Sequence, residues 1–130
     1  MNEVHFYKTE LGDCPIEQFL NSLSGKQAQK VLWVLQLLGD ASVPPAQYFK
    51  RLAEDIWEVR VPMGHDIFEL LGFMDEQLMV LNHAFQNPTE KNQLQEEVKI
   101  AESRKQEYLN RKLLHCQQPI SPSGVRGSSS

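Results

Sequence analysis

The sequence predicts an α+β domain in which two N-terminal helices pack on an antiparallel sheet and a long helix closes the C-terminal end. Three observations predict it. Strand-like segments at residues 56–61, 66–73 and 78–85 follow one another across two short turn-like connections, Pro62-Met63-Gly64-His65 and Met74-Asp75-Glu76-Gln77, the pattern of an antiparallel meander. Apolar residues at helical spacing precede that meander. A proline-led cap and a long periodic stretch follow it.

In chain order, residues 4–7 have the make-up of a short first strand. Asp13 then stands as N-cap of a short helix with Pro15 in its first turn and Ile16, Phe19, Leu20 and Leu23 on one face. Ser24-Gly25-Lys26-Gln27 has the form of a capping box, and Ala28, Val31, Leu32, Leu35 and Leu38 continue at helical spacing to Gly39, a natural stop. Val43-Pro44-Pro45 breaks the pattern, and the chain enters its strand-rich part at about residues 47–52. In the first long strand Ile56, Glu58 and Arg60 face one way and Trp57, Val59 and Val61 the other, which makes Trp57 a core residue. The third strand is almost wholly apolar from Leu78 to Leu81, as expected of an interior strand covered on both faces. Asn87-Pro88-Thr89-Glu90 reads as N-cap, first-turn proline and cap-directed carboxylate, and Leu94, Val98, Ala101, Lys105 and Tyr108 form the stripe of the helix that follows. Residues 1–114 are expected to form the domain, and residues 115–130 a flexible polar tail.

Charge limits the function. Residues 1–87 carry six Lys or Arg against twelve Asp or Glu, a net of −6, while residues 88–115 carry six basic and five acidic residues. Such a body repels polyanions, so a nucleic-acid surface can form only locally, the best candidate being Arg104, Lys105, Arg111 and Lys112. A solvated helix face is the plainer reading of that cluster. Cys14 and Cys116 lie too far apart in sequence to suggest a zinc site or a disulfide framework. His5, His65 and His115 have no partner at ligand spacing, and there is no phosphate-cradling glycine loop, so neither metal nor cofactor is expected. No apolar run approaches the roughly 20 residues of a membrane span, and the start lacks the features of a signal peptide, which points to the cytoplasm.

Chemistry is plausible in one place. Antiparallel neighbours align Arg60, Glu69 and His83 across one sheet, where polar side chains can converge. Arg60 can alternatively pair with Glu58 or Glu69, and His83 can simply finish a strand.

The two helices, the Tyr-Phe-Lys-x-Leu segment at Tyr48 to Leu52, Ile56-Trp57-Glu58-Val59-Arg60, the strand led by Phe68, the His-x-Phe at His83 to Phe85 and the Ala-x-x-Arg at Ala101 to Arg104 together resemble the phage-derived HigB-like branch of the RelE/ParE toxin superfamily, over about residues 3–112. The order and spacing of the pieces carry the resemblance. It implies a curved antiparallel sheet flanked by helices, and a toxin of a type II toxin and antitoxin pair that cleaves messenger RNA in the ribosome without a metal. It also implies silencing by a small helix-turn-helix antitoxin. In that chemistry a ribose 2′-hydroxyl attacks the adjacent phosphate, which needs proton transfer and cations at the phosphate. The resemblance gives proton exchange to His83, phosphate stabilisation to Arg60, and RNA contacts to Arg104, Lys105 and Lys50. Where relatives usually carry Tyr-Arg this chain has Phe68-Glu69, and where they usually carry two lysines it has Gln86-Asn87. Those departures favour two alternatives on the same fold: a catalytically inactive protein-interaction module, and a ParE-type toxin that binds gyrase.

Overall fold

A computed structural model describes residues 3–41, 45–86 and 91–117. The elements run β1 (Glu3–Phe6), α1 (Pro15–Asn21), α2 (Gly25–Asp40), β2 (Phe49–Arg51), β3 (Trp57–Met63), β4 (Asp66–Asp75), β5 (Leu78–Gln86) and α3 (Lys91–Gln117).

The expected layout of two N-terminal helices on an antiparallel sheet does not hold. The sheet is mixed and five-stranded, in the order β1-β5-β4-β3-β2, with β1 parallel to β5 and the other pairs antiparallel. Because β1 comes first and occupies one edge while β2 occupies the other, α1 and α2 form the connection across the sheet and are not an N-terminal layer. The physical reason lies in residues 3–6: their backbone groups pair with β5, and the partly buried Val4 and Phe6 pack against the main core.

Local sequence accounts for most element boundaries. The capping box of α2 is present in both directions, Gln27 N donating to Ser24 Oγ at 3.2 Å and Ser24 N to Gln27 Oε1 at 2.9 Å. The helix ends at Asp40, one residue beyond Gly39, where Ala41 turns extended. At α1 the N-cap is Cys14 and not Asp13, since Thr9 and Asp13 close a turn on each other: Thr9 N donates to Asp13 O, and Asp13 N to Thr9 Oγ1. Pro15 nevertheless opens the helix. α3 continues through residues 115–117, the first three of the expected tail, and the proposed cap at residues 87–90 and the rest of the tail, residues 118–130, lie outside the described residues.

One face of the sheet meets α1 and α2. Val59, Val61, Phe68, Leu70 and Leu81 are fully buried there with Ile16, Val31 and Val34, and the Phe19 and Phe68 rings meet edge to face at 5.8 Å. Trp57 is only partly buried, stacked on Phe49 at 4.7 Å at the margin of this core. Trp33 on α2 is half exposed. The opposite face lies beneath α3, whose Ala101 and Val98 join Ile56 and Leu71 and whose Tyr108 joins Phe73 and Val80. Polar ties fasten α3 along its length: Tyr108 Oη donates to Asp75 at 2.7 Å, and Arg111 donates to the Lys8 carbonyl at 2.8 Å while its guanidinium lies over the Tyr7 ring.

Candidate active site

His83 reaches the α3 face because β5 breaks its alternation. Strict alternation from Val80, which faces α3, would turn His83 toward α1 and α2. The register instead slips between Leu71 and Gly72: Gly72 pairs with Leu81 and Leu71 with His83, leaving Asn82 as an extra residue. Beyond this bulge His83 and Phe85 face α3. Gly72 permits the close approach it requires, for a Cβ at that position would lie 2.0 Å from the Val80 carbonyl oxygen.

Around the bulge α3 supplies three contacts from one stripe, at residues 97, 101 and 104. Glu97 Oε1 is hydrogen-bonded to His83 Nε2. Arg104 Nη1 donates to the Asn82 carbonyl at 2.7 Å and lies 3.2 Å from His83 Nδ1. The Asn82 amide donates to the Ala101 carbonyl at 3.0 Å, while its own Oδ1 is buried without a partner among the described residues. The imidazole keeps 13% of its side-chain surface exposed, enough to meet solvent at one edge. Burial lowers its pKa from the ordinary value of 6.5; Glu97 opposes that shift and Arg104 adds to it. The net direction favours the uncharged ring.

A second polar group lies across the sheet. In the row containing Leu71 and His83, the β3 residue is Glu58; in the next row Arg60, Glu69 and Phe85 are neighbours. Arg60 and Glu69 thus pair in register as the alternation implies, but His83 is one row away. Strand geometry puts the Arg60 and His83 Cα atoms roughly 12 Å apart. Leu71, clustered with Ile56 and Ala101, fills the row between Glu58 and His83. Arg60 makes no ion pair among the described residues, whereas Glu58 is only 2% exposed and its Oε1 lacks a hydrogen bond. Burial raises the Glu58 pKa, with Lys50, whose Nζ stands 3.9 Å away, and Arg60 acting in the opposite direction.

The remaining expected RNA-binding cations are engaged inside the chain. Lys105 pairs with Asp55 at 2.9 Å and Lys50 lies against Glu58. Farther along α3, Arg111 pairs with Glu107 and Lys112 with Asp75. Among the described residues no cluster of three His, Cys, Asp or Glu could hold a metal, and no helix is long and apolar enough to cross a membrane.

Two participants escaped the reading of the sequence. In the sequence Glu97 is one charge among several on the helix, although its spacing of seven from Arg104 places both on one helical face. The bulge was missed because the apolar run of β5 hides its alternation; a glycine within the neighbouring strand was the available signal.

The class of protein comes from a family comparison, which places the chain among RelE-like toxins. The model of the family described as "Phage derived protein Gp49-like (DUF891)" matches residues 18–106, more than half of the chain, and the chain belongs to that family, which is associated with toxin and antitoxin modules. The match includes Lys50, Arg60, His83, Glu97, Arg104 and Lys105; β1 and the contacts of Tyr7 and Arg111 lie outside it. No curated protein matches the chain.

Proposed function

We propose that the chain is the toxin of a type II toxin and antitoxin module and cleaves messenger RNA at the ribosome, in the manner of the HigB branch. One observation carries this reading: the guanidinium of Arg104 stands 3.2 Å from His83 Nδ1, which puts a phosphate-binding cation beside a proton-accepting nitrogen. An RNA phosphate on Arg104 brings its neighbouring 2′-hydroxyl to the imidazole, whose lowered pKa keeps it ready to act as a base at neutral pH. Arg60, one row away and without an ion pair among the described residues, takes a flanking phosphate. Lys50 and Lys105 hold the backbone by exchanging their carboxylate partners for phosphates. The partner that silences the toxin is a helix-turn-helix antitoxin.

The self-neutralised cations favour a second reading. With Lys50, Lys105, Arg111 and Lys112 all facing carboxylates of their own chain, little positive surface is left for RNA, as in a non-catalytic interaction module or a gyrase-binding toxin of the ParE type. Induced expression separates the readings. The nuclease reading expects growth arrest with loss of translation and intact supercoiling, abolished by His83→Ala and by Arg104→Ala. Arrest with relaxed plasmid DNA would select the gyrase inhibitor, and growth without arrest would select the interaction module.

A further inference from the structure

We infer that Glu97 is a positioning residue that fixes His83 as the Nε2–H tautomer, so that Nδ1, the nitrogen facing Arg104, is the one that exchanges protons. The inference rests on the nuclease reading for its catalytic part and on geometry alone for the tautomer. An ionised carboxylate only accepts hydrogen bonds and a guanidinium only donates them. With Glu97 at Nε2 and Arg104 at Nδ1, a neutral imidazole satisfies both neighbours in one tautomer only, with hydrogen on Nε2 and a lone pair on Nδ1. The reverse tautomer sets a lone pair against the carboxylate and an N–H against the cation.

The groups packed on the ring leave no competing charge among the described residues. Glu97 and Arg104 face it from α3, Leu71 from β4, and the Phe85 ring from β5 at 5.6 Å. Glu97 is itself 24% exposed, so it is held at the rim of the site with one oxygen on the imidazole. In the step this prepares, the 2′-hydroxyl proton passes to Nδ1, the 2′-oxygen forms a bond to phosphorus, and the bond from phosphorus to the 5′-oxygen breaks. The leaving oxygen takes a proton from water, and the imidazolium returns its proton to the hydroxide so formed. Substrate phosphate draws the Arg104 guanidinium off Nδ1, which frees that nitrogen only when the cation has found its anion.

The test pairs spectroscopy with kinetics on the full chain. Nitrogen-15 shifts of His83 in the neutral ring are expected to show a protonated Nε2 and a bare Nδ1, with a mixture of tautomers in Glu97→Ala. In cleavage of ribosome-bound message, Glu97→Ala should lower kcat by roughly a hundredfold with little change in KM. Glu97→Gln keeps an acceptor oxygen but not the charge that raises the His83 pKa, so it should retain much of the rate while its acidic limb moves to lower pH. A protonated Nδ1 in the native chain overturns the inference whether or not RNA is cut. Wild-type kcat in Glu97→Ala together with an unmoved acidic limb in Glu97→Gln overturns its catalytic part. Absence of RNA cleavage by the native chain removes the nuclease reading and that catalytic part with it, and leaves the tautomer to be decided by the shifts.

Discussion

On the side of the sheet that meets α1 and α2, Val59, Val61, Phe68, Leu70 and Leu81 are buried completely among other apolar side chains. On the side beneath α3 the same strands bury Glu58 and Glu69 to within 5% exposure and hold His83 between a carboxylate and a guanidinium. Both sides are built from the same three strands and differ only in which alternate residues they present. The first side lowers free energy by removing apolar area from water. The second contains Asn82 Oδ1, buried without a partner among the described residues, where such an atom costs about 1–3 kcal/mol, and Glu58 Oε1, which lacks a hydrogen bond and has only Lys50 Nζ at 3.9 Å. Costs of that kind on one face are what a face used for something other than stability is expected to carry.

The contrast can be broken from either side. Phe68→Ala should have the largest effect on stability, about 3–5 kcal/mol, read from the urea midpoint, because it opens a cavity in a fully packed face. Gly72→Ala should follow, at or above the upper end of the roughly 1–3 kcal/mol typical of overpacking, since its Cβ meets a backbone oxygen that no rotamer change can move. This substitution should also disturb the His83 resonances, because the bulge that turns the ring toward α3 depends on that close approach. Arg104→Ala should lower the rate of RNA cleavage by about 10²–10³-fold, and Arg60→Ala by roughly tenfold, because only Arg104 adjoins the imidazole. Equal losses in the two variants would shift the phosphate site toward β3.

Glu58→Gln sharpens the comparison through pH. A carboxyl whose folded pKa is raised contributes stability that is present below its unfolded pKa and lost as pH rises through the folded value. The glutamine variant lacks this loss. Its stability relative to the native chain should therefore increase between pH 4 and pH 7, reaching parity or a gain of about 1–3 kcal/mol at pH 7. A difference that stays constant across that range, measured by urea unfolding at both pH values, would mean that Glu58 does not bear the cost assigned to it.

How much of this is legible in the sequence depends on the kind of signal. The capping box at Ser24, the proline entry to α1, the meander and the α3 stripe through Val98, Ala101 and Tyr108 rest on local residues and periodicity, and they appear where those signals put them. The mixed sheet did not follow, because the pairing of β1 with β5 joins residues more than seventy positions apart and four residues carry no mark of parallel or antiparallel pairing. At the site, His83 and Arg104 were identifiable as residues but not as neighbours. Their meeting depends on a bulge at Asn82 and on the rotation of α3, both of which are tertiary. Arg60 stands beside Glu69 as the alternation implies, and His83 misses that row because Phe85, two residues further along β5, pairs with Glu69.

In the function we propose, Arg104 and His83 together cut RNA. Its most direct test is to add the purified chain to ribosomes translating a defined message and map new 5′ ends by primer extension, with His83→Ala and Arg104→Ala in parallel. New ends are expected in the native reaction and fewer by about a hundredfold or more in either variant, with both variants folded. Unbroken message in the native reaction, or cutting that persists at the native level in both variants, would contradict it.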